Sequence, residues 1–95
     1  MNTQTSLAQE LIQGDANIRC NFGIEVLSAH QGVCELELVV THDWVNGAGF
    51  THGSVAYAMM DSACAYACGS LDVLGLTTSG NVTYVRGTTA GVRIK

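Results

Sequence analysis

Four residues in one short region have types and a spacing suited to chemistry at a carbonyl group: Asn46, His52, Gly53 and Asp61, in the order N-x5-HG-x7-D. Asp61 lies inside the stretch from Val55 to Cys68, where only it and Ser62 are not hydrophobic. An unpaired charge in apolar surroundings is costly, so such a carboxylate is normally paired, neutralised or set at a wet cleft. At a cleft it can attack an acyl carbon, or take a proton from the water that does. The sequence leaves both routes open. Gly53 stands where a helix should begin, and the first turn of a helix offers unpaired N–H groups and a positive dipole end to a developing oxyanion. Glycine there lets a carbonyl oxygen come close to the backbone. His52 is expected to hydrogen-bond to the preceding loop and steady those amides. Asn46 is expected to orient the same loop or the attacking water.

Gly53 and Asp61 are eight positions apart, which is about 12 Å of rise along a helix. Reacting atoms must lie within about 3 to 3.5 Å of each other. One acyl carbon therefore cannot touch both groups of the same helix. The spacing predicts a homodimer with two equivalent, shared sites in the isologous arrangement.

The elements that must hold these residues can be read in order. "QTSLAQELIQ", residues 4–13, predicts a short amphipathic helix with Gly14 as its end. "GIEVLSAHQGVCELELVVTHD" predicts a hairpin turning near His30-Gln31-Gly32, with Cys34, Leu36, Leu38 and Val40 alternating onto one face. "HDWVNGAGFTH" reads as a loop. A long helix should run from Gly53 or Ser54 to about Cys68, with Gly69 as its stop, and its apolar character on nearly all sides predicts that it is wrapped by other structure. "GLTTSGNVTYVRGTTAG" reads as a strand in which Gly80 marks a bulge or a close approach. "GVRIK" opens a further strand. The expected architecture is α+β, a single domain over 1–95 in which an antiparallel sheet embraces a long apolar helix.

Composition narrows the classes of function. Hydrophobic residues make up 47% of the 95 positions and charged residues 13%, the balance of a burying, globular chain. The formal charge of −4 argues against nucleic acid as a partner, since phosphate binding needs a basic face. Cys20, Cys34, Cys64 and Cys68 are expected to be reduced thiols, and the opening residues show no basic region followed by an apolar run, so a cytoplasmic protein without a leader is expected. The apolar run is shorter than the roughly 20 residues that span a bilayer, so no membrane partner is expected. His30, His42, His52 and the cysteines lack the close paired spacings of zinc sites.

In Asn46, His52-Gly53, Asp61 and the "AYAC" of residues 65–68, the sequence resembles the hotdog-fold acyl-CoA thioesterases, in the phenylacetyl-CoA thioesterase-like branch. The likeness runs over 18–95, from a strand at "FGIEVL" to the strand "NVTYVRG". It implies hydrolysis of acyl- or aryl-acyl-CoA thioesters to free acid and coenzyme A, with no metal or cofactor. Asp61 would be base or nucleophile, the Gly53 amide would polarise the carbonyl, and His52 and Asn46 would support them. It implies catalytic residues contributed across a homodimer, and a homotetramer built from such dimers. Thr78, Ser79 and Asn81 would meet the acyl group from the strand. Arg86, Arg93 and Lys95 would hold the coenzyme A phosphates or form a solvated edge. Tyr57, Met59, Met60 and Tyr66 would line an acyl pocket or pack as core, and Ser62 would bond back to the i−4 carbonyl. Two departures stand out: relatives usually finish the sheet with two more long strands, so further chain beyond Lys95 or cover from a partner is expected, and Gly87 stands where proline is common.

Two other readings remain open. A hotdog dehydratase or hydratase would need a histidine paired with an acid, yet no histidine follows His52. A non-catalytic acyl-CoA-binding or oligomerising module would keep the fold and the affinity without turnover.

Overall fold

The computed structural model describes residues 6–95. Ser6 caps the first helix, α1 (Leu7–Gly14): its hydroxyl accepts from the Gln9 N–H at 3.2 Å, and Gln9 Oε1 accepts from the Ser6 N–H at 3.0 Å. That reciprocal pair satisfies two amides that a helix start leaves bare. Gly14 closes the helix as expected, while positions 4 and 5 of the expected span lie outside the described residues. A second helix, α2 (Ala16–Phe22), follows at once where the sequence shows no helical periodicity. Gly23 ends it at φ +79°, where its N–H and that of Ile24 both return to the Arg19 carbonyl. Phe22 thus belongs to a helix, and the strand expected at "FGIEVL" starts only at Glu25.

The hairpin forms where expected. β1 (Glu25–His30) pairs antiparallel with β2 (Val33–Val39), His30 opposite Val33, around Gln31 and Gly32 at φ +52° and +79°. Two consecutive positive φ values match the right-handed twist of the flanking strands. Leu36 and Leu38, with Val40 just past the strand, are buried, and Cys34 packs beside them. The final segment does open a strand: β3 (Arg93–Ile94) pairs with Leu38 and Val39 and completes the order β1-β2-β3. Across that pairing Arg93 meets Glu37 at 2.8 Å and Lys95 meets Glu35 at 3.7 Å.

The central helix, α3 (Gly53–Gly69), agrees with its expected span to within a residue. Val55, Met59, Ser62, Tyr66 and Gly69 are buried, a stripe with helical period that faces the sheet and α1. Tyr66 is the heart of this packing, fully buried, with its hydroxyl donating to Asp15 Oδ2 at 2.7 Å. Burial, reinforced by that carboxylate, pushes the Tyr66 phenol well above its ordinary range. Tyr66 is therefore core rather than pocket lining. The opposite face of α3 carries Tyr57, Met60, Asp61 and Cys64, all exposed, so one chain wraps the helix on one side only.

The reason lies after the helix. The expected strand "GLTTSGNVTYVRGTTAG" makes no ladder with the sheet, and residues 71–92 run as irregular chain. High strand propensity in Thr, Val and Tyr does not make a strand without a neighbour to pair with. Leu76 and Val85 stay 83% and 91% exposed along it. Among the described residues, no helix is long and apolar enough to cross a membrane.

Candidate active site

The loop before α3 is built around Asn46. Its Oδ1 accepts from the Ala48 and Phe50 N–H groups at 2.9 and 3.0 Å, and its own N–H donates to the Phe50 carbonyl at 2.6 Å. Asn46 thus serves the loop, one of the two roles its position suggested. The loop is anchored where the Thr51 N–H meets the Thr88 carbonyl at 2.7 Å and the His52 N–H meets the Trp44 carbonyl at 2.7 Å. Trp44 is itself held by stacking on Phe22, with ring centroids 4.2 Å apart.

His52 is the N-cap of α3. Its Nδ1 accepts from the Ser54 N–H at 3.1 Å and its carbonyl accepts from the Val55 N–H at 3.1 Å. The cap occupies two first-turn amides and leaves a third, the Gly53 N–H, without a partner among the described residues. Beside it opens a cleft of about 490 Å³ lined by His52, Gly53, Ala56, Tyr84 and Arg86. Tyr84 donates to the Gly53 carbonyl at 2.8 Å and so closes against the helix start.

Asp61 stands in a different cleft, of about 190 Å³, with Tyr57, Met60, Cys64, Ser79 and Asn81. The Thr77 hydroxyl donates to Asp61 Oδ1 at 2.5 Å. Gly80 makes the approach possible: a Cβ there would lie 2.0 Å from the Tyr57 hydroxyl. That is the close approach its position in the sequence suggested. The two clefts share no lining residue. A third groove, about 630 Å³ between Cys34, Leu36, Met59 and Ile94, holds none of the expected catalytic groups. Burial, then the Cys64 thiol and Glu35, push the Cys34 thiol up from its ordinary value.

No protein-family model matches the chain. The chain is similar to the acyl-coenzyme A thioesterase PaaI of Escherichia coli (strain K12), 27% identical over 84 residues that cover 88% of this chain and 59% of that protein. Among solved structures it superposes on the E. coli PaaI protein from the phenylacetic acid degradation operon with a TM-score of 0.81, at 23% identity, covering 90% of this chain and 66% of that one. The chain is a hotdog-fold protein. It is also similar to a mutant of the phenylacetic acid degradation protein PaaI from Thermus thermophilus, with a TM-score of 0.75 and 29% identity over 80% of this chain and 65% of that one. Its likeness is thus to the PaaI branch of hotdog proteins. The chain spans less than two thirds of the length of these relatives.

In the hotdog frame the expected residues fall into two groups. His52, Gly53 and Arg86 line the cleft at the helix start, with Asn46 holding the loop behind them. Asp61, Ser79 and Asn81 line the other, and Thr78 lies outside it. Tyr57 and Met60 also line the Asp61 cleft, whereas Met59 is buried against the sheet. Arg93 and Lys95 lie outside the cleft at the helix start and pair with Glu37 and Glu35 at 2.8 and 3.7 Å. Ser62 is buried within reach of the Tyr66 hydroxyl, and no bond to the i−4 carbonyl accompanies it. Thr77 and Tyr84 took the structure to place. Thr77 and Thr78 are indistinguishable as types, and only the spacing of two shared by Thr77, Ser79 and Asn81 points to the first.

Proposed function

We propose that this chain carries the two halves of an acyl-CoA thioesterase site, and that two copies bring them together. The observation that carries this reading is the separation of the unpartnered Gly53 N–H and the Asp61 carboxylate into different clefts along one unbroken helix. On a shared site, the thioester carbonyl of an acyl- or aryl-acyl-CoA accepts from the Gly53 N–H of one copy. The Asp61 carboxylate of the other attacks the carbonyl carbon or takes the proton of the attacking water. The tetrahedral oxyanion draws on the Gly53 amide and the helix dipole as charge develops. On the water route it collapses by breaking the carbon–sulfur bond, releasing free acid and a coenzyme A thiolate that takes the proton back from Asp61. On the direct route the same cleavage releases the thiolate and leaves an Asp61 acyl anhydride. Water then hydrolyses the anhydride to the free acid and the regenerated carboxylate, one proton of that water going to the thiolate and the other to solvent.

His52 and Asn46 act through the backbone, keeping the loop and first turn in place so that the Gly53 amide faces the cleft. Arg86, in the same cleft, suits a coenzyme A phosphate. Ser79 and Asn81 contact the acyl group beside Asp61. The exposed apolar stretch around Leu76 and Val85 supports association between copies, since large apolar patches are seldom left in water.

The test is hydrolysis of an acyl-CoA panel that includes aryl-acetyl and benzoyl thioesters, followed by loss of thioester absorbance because the four cysteines interfere with thiol reagents. Asp61→Asn is expected to lower kcat by about 100-fold or more. Tight binding of the same thioesters with no turnover by the parent would instead identify a binding module.

A further inference from the structure

We propose that Thr77 is a positioning residue for Asp61: it holds one carboxylate oxygen so that the other is presented to the acyl carbon or the attacking water. This rests on the thioesterase reading above. Asp61 projects from the exposed face of α3, and on that face nothing from the helix itself restrains it. Tyr57 precedes it by one turn, Cys64 and Ala65 follow by one turn, and none of these hydrogen-bonds to it. Among the described residues, the Thr77 hydroxyl is the side-chain partner of the carboxylate, at Oδ1, and Oδ2 has no hydrogen-bond partner. A hydroxyl-to-carboxylate bond is charge-assisted and so stronger than its neutral counterpart. Threonine is branched at Cβ and stiff about χ1, so it places that hydroxyl with little freedom.

What brings Thr77 within reach is the glycine three positions on. The segment lies against α3 where the Tyr57 hydroxyl occupies the space that a Cβ of Gly80 would fill. The segment also places Ser79 and Asn81 in the cleft, so the device that orients the carboxylate and the wall that meets the acyl group are one piece of chain. Orientation matters because a reacting oxygen displaced by a fraction of an ångström leaves the near-attack geometry.

The experiment compares parent, Asp61→Asn, Thr77→Val, Thr77→Ala and Thr77→Ser in steady-state hydrolysis of a phenylacetyl thioester of coenzyme A. Thermal melts accompany each variant; Thr77 is exposed, so all are expected to fold. The expected result is a kcat lower by about 10- to 100-fold in Thr77→Val and Thr77→Ala, with KM changed by less than about threefold. Thr77→Ser, which keeps the hydroxyl, recovers most of that loss. In an Asp61→Asn background Thr77→Val has no further effect, whereas a general loosening of the fold would add its own loss. Parent-like kcat in Thr77→Val and Thr77→Ala, with turnover lost in Asp61→Asn, overturns the positioning role and leaves the thioesterase reading intact. Turnover that survives Asp61→Asn, or none in the parent, overturns both.

Discussion

Tyr66 and Asp15 show how much one pair of side chains can organise. The tyrosine belongs to a helix face that reads as plain core, and its ring is core, but its hydroxyl reaches the junction of α1 and α2. Removing the hydroxyl with Tyr66→Phe leaves Asp15 without that donor. A bond to a charged acceptor contributes about 1.5 to 3 kcal/mol, so a loss of that order is expected in denaturant unfolding at neutral pH. The phenol holds its proton more tightly in the folded chain than in the unfolded one. Its contribution is therefore fully present below the ordinary phenol value of about 10 and is lost as pH rises toward the higher folded value. Stability measured from about pH 8 to about pH 11 should fall more steeply for the parent than for Tyr66→Phe. Equal slopes would mean that Tyr66 does not titrate differently on folding. Asp61, by contrast, has apolar neighbours in the sequence but stands exposed in one chain with Thr77 beside it.

At the scale of elements, α3 is the most legible part of the sequence, because a continuous apolar run between a capping residue and a glycine leaves few alternatives. Its packing partner α1 comes close through Gly69, where a Cβ would lie 3.0 Å from the Ala8 Cα and 3.0 Å from Leu11 Cδ1. Backbone cannot yield as a flexible side chain does. Gly69→Ala is thus expected to cost about 1 to 3 kcal/mol, the usual range for overpacking, read as a lower denaturant midpoint with an unchanged slope. The short helix α2 escapes a reading of the sequence because its seven residues, "ANIRCNF", carry no clear periodicity and bury no residue fully. Its one signal is Gly23, the glycine that ends it. Residues 71–92 mislead the opposite way. Their composition suits a strand, but pairing is a property of the neighbour and not of the segment.

For the whole molecule, the split of the candidate groups between two clefts makes association the decisive question. An active species sedimenting as a monomer would refute the shared site, whereas a dimer or tetramer at working concentration is the expected outcome. Mixing provides a sharper check. Asp61→Asn and a variant blocked at the helix start, Gly53→Val, should each be inactive alone. Refolded together they should regain turnover, because a mixed dimer has one site with both defects and one with neither. Recovery absent from mixed dimers of proven composition would overturn the site shared between copies.

The sequence by itself determined the elements whose signals are local: the helix α1 with its glycine end, the hairpin around Gln31-Gly32, the span of α3, and the spacing that separates Gly53 from Asp61 by more than one acyl carbon can bridge. Alternation, helical period and the reach of a helical rise are properties of nearby residues, so they survive without knowledge of the fold. Only the tertiary structure decided that Arg93 and Lys95 pair with Glu37 and Glu35, that Tyr66 reaches Asp15, and that Gly80 admits Tyr57 while Thr77 meets Asp61. Each of these joins positions far apart in the chain or chooses between identical neighbours. Such choices depend on where the backbone passes in space, and local pattern encodes them weakly at most, as in the spacing of two that Thr77 shares with Ser79 and Asn81.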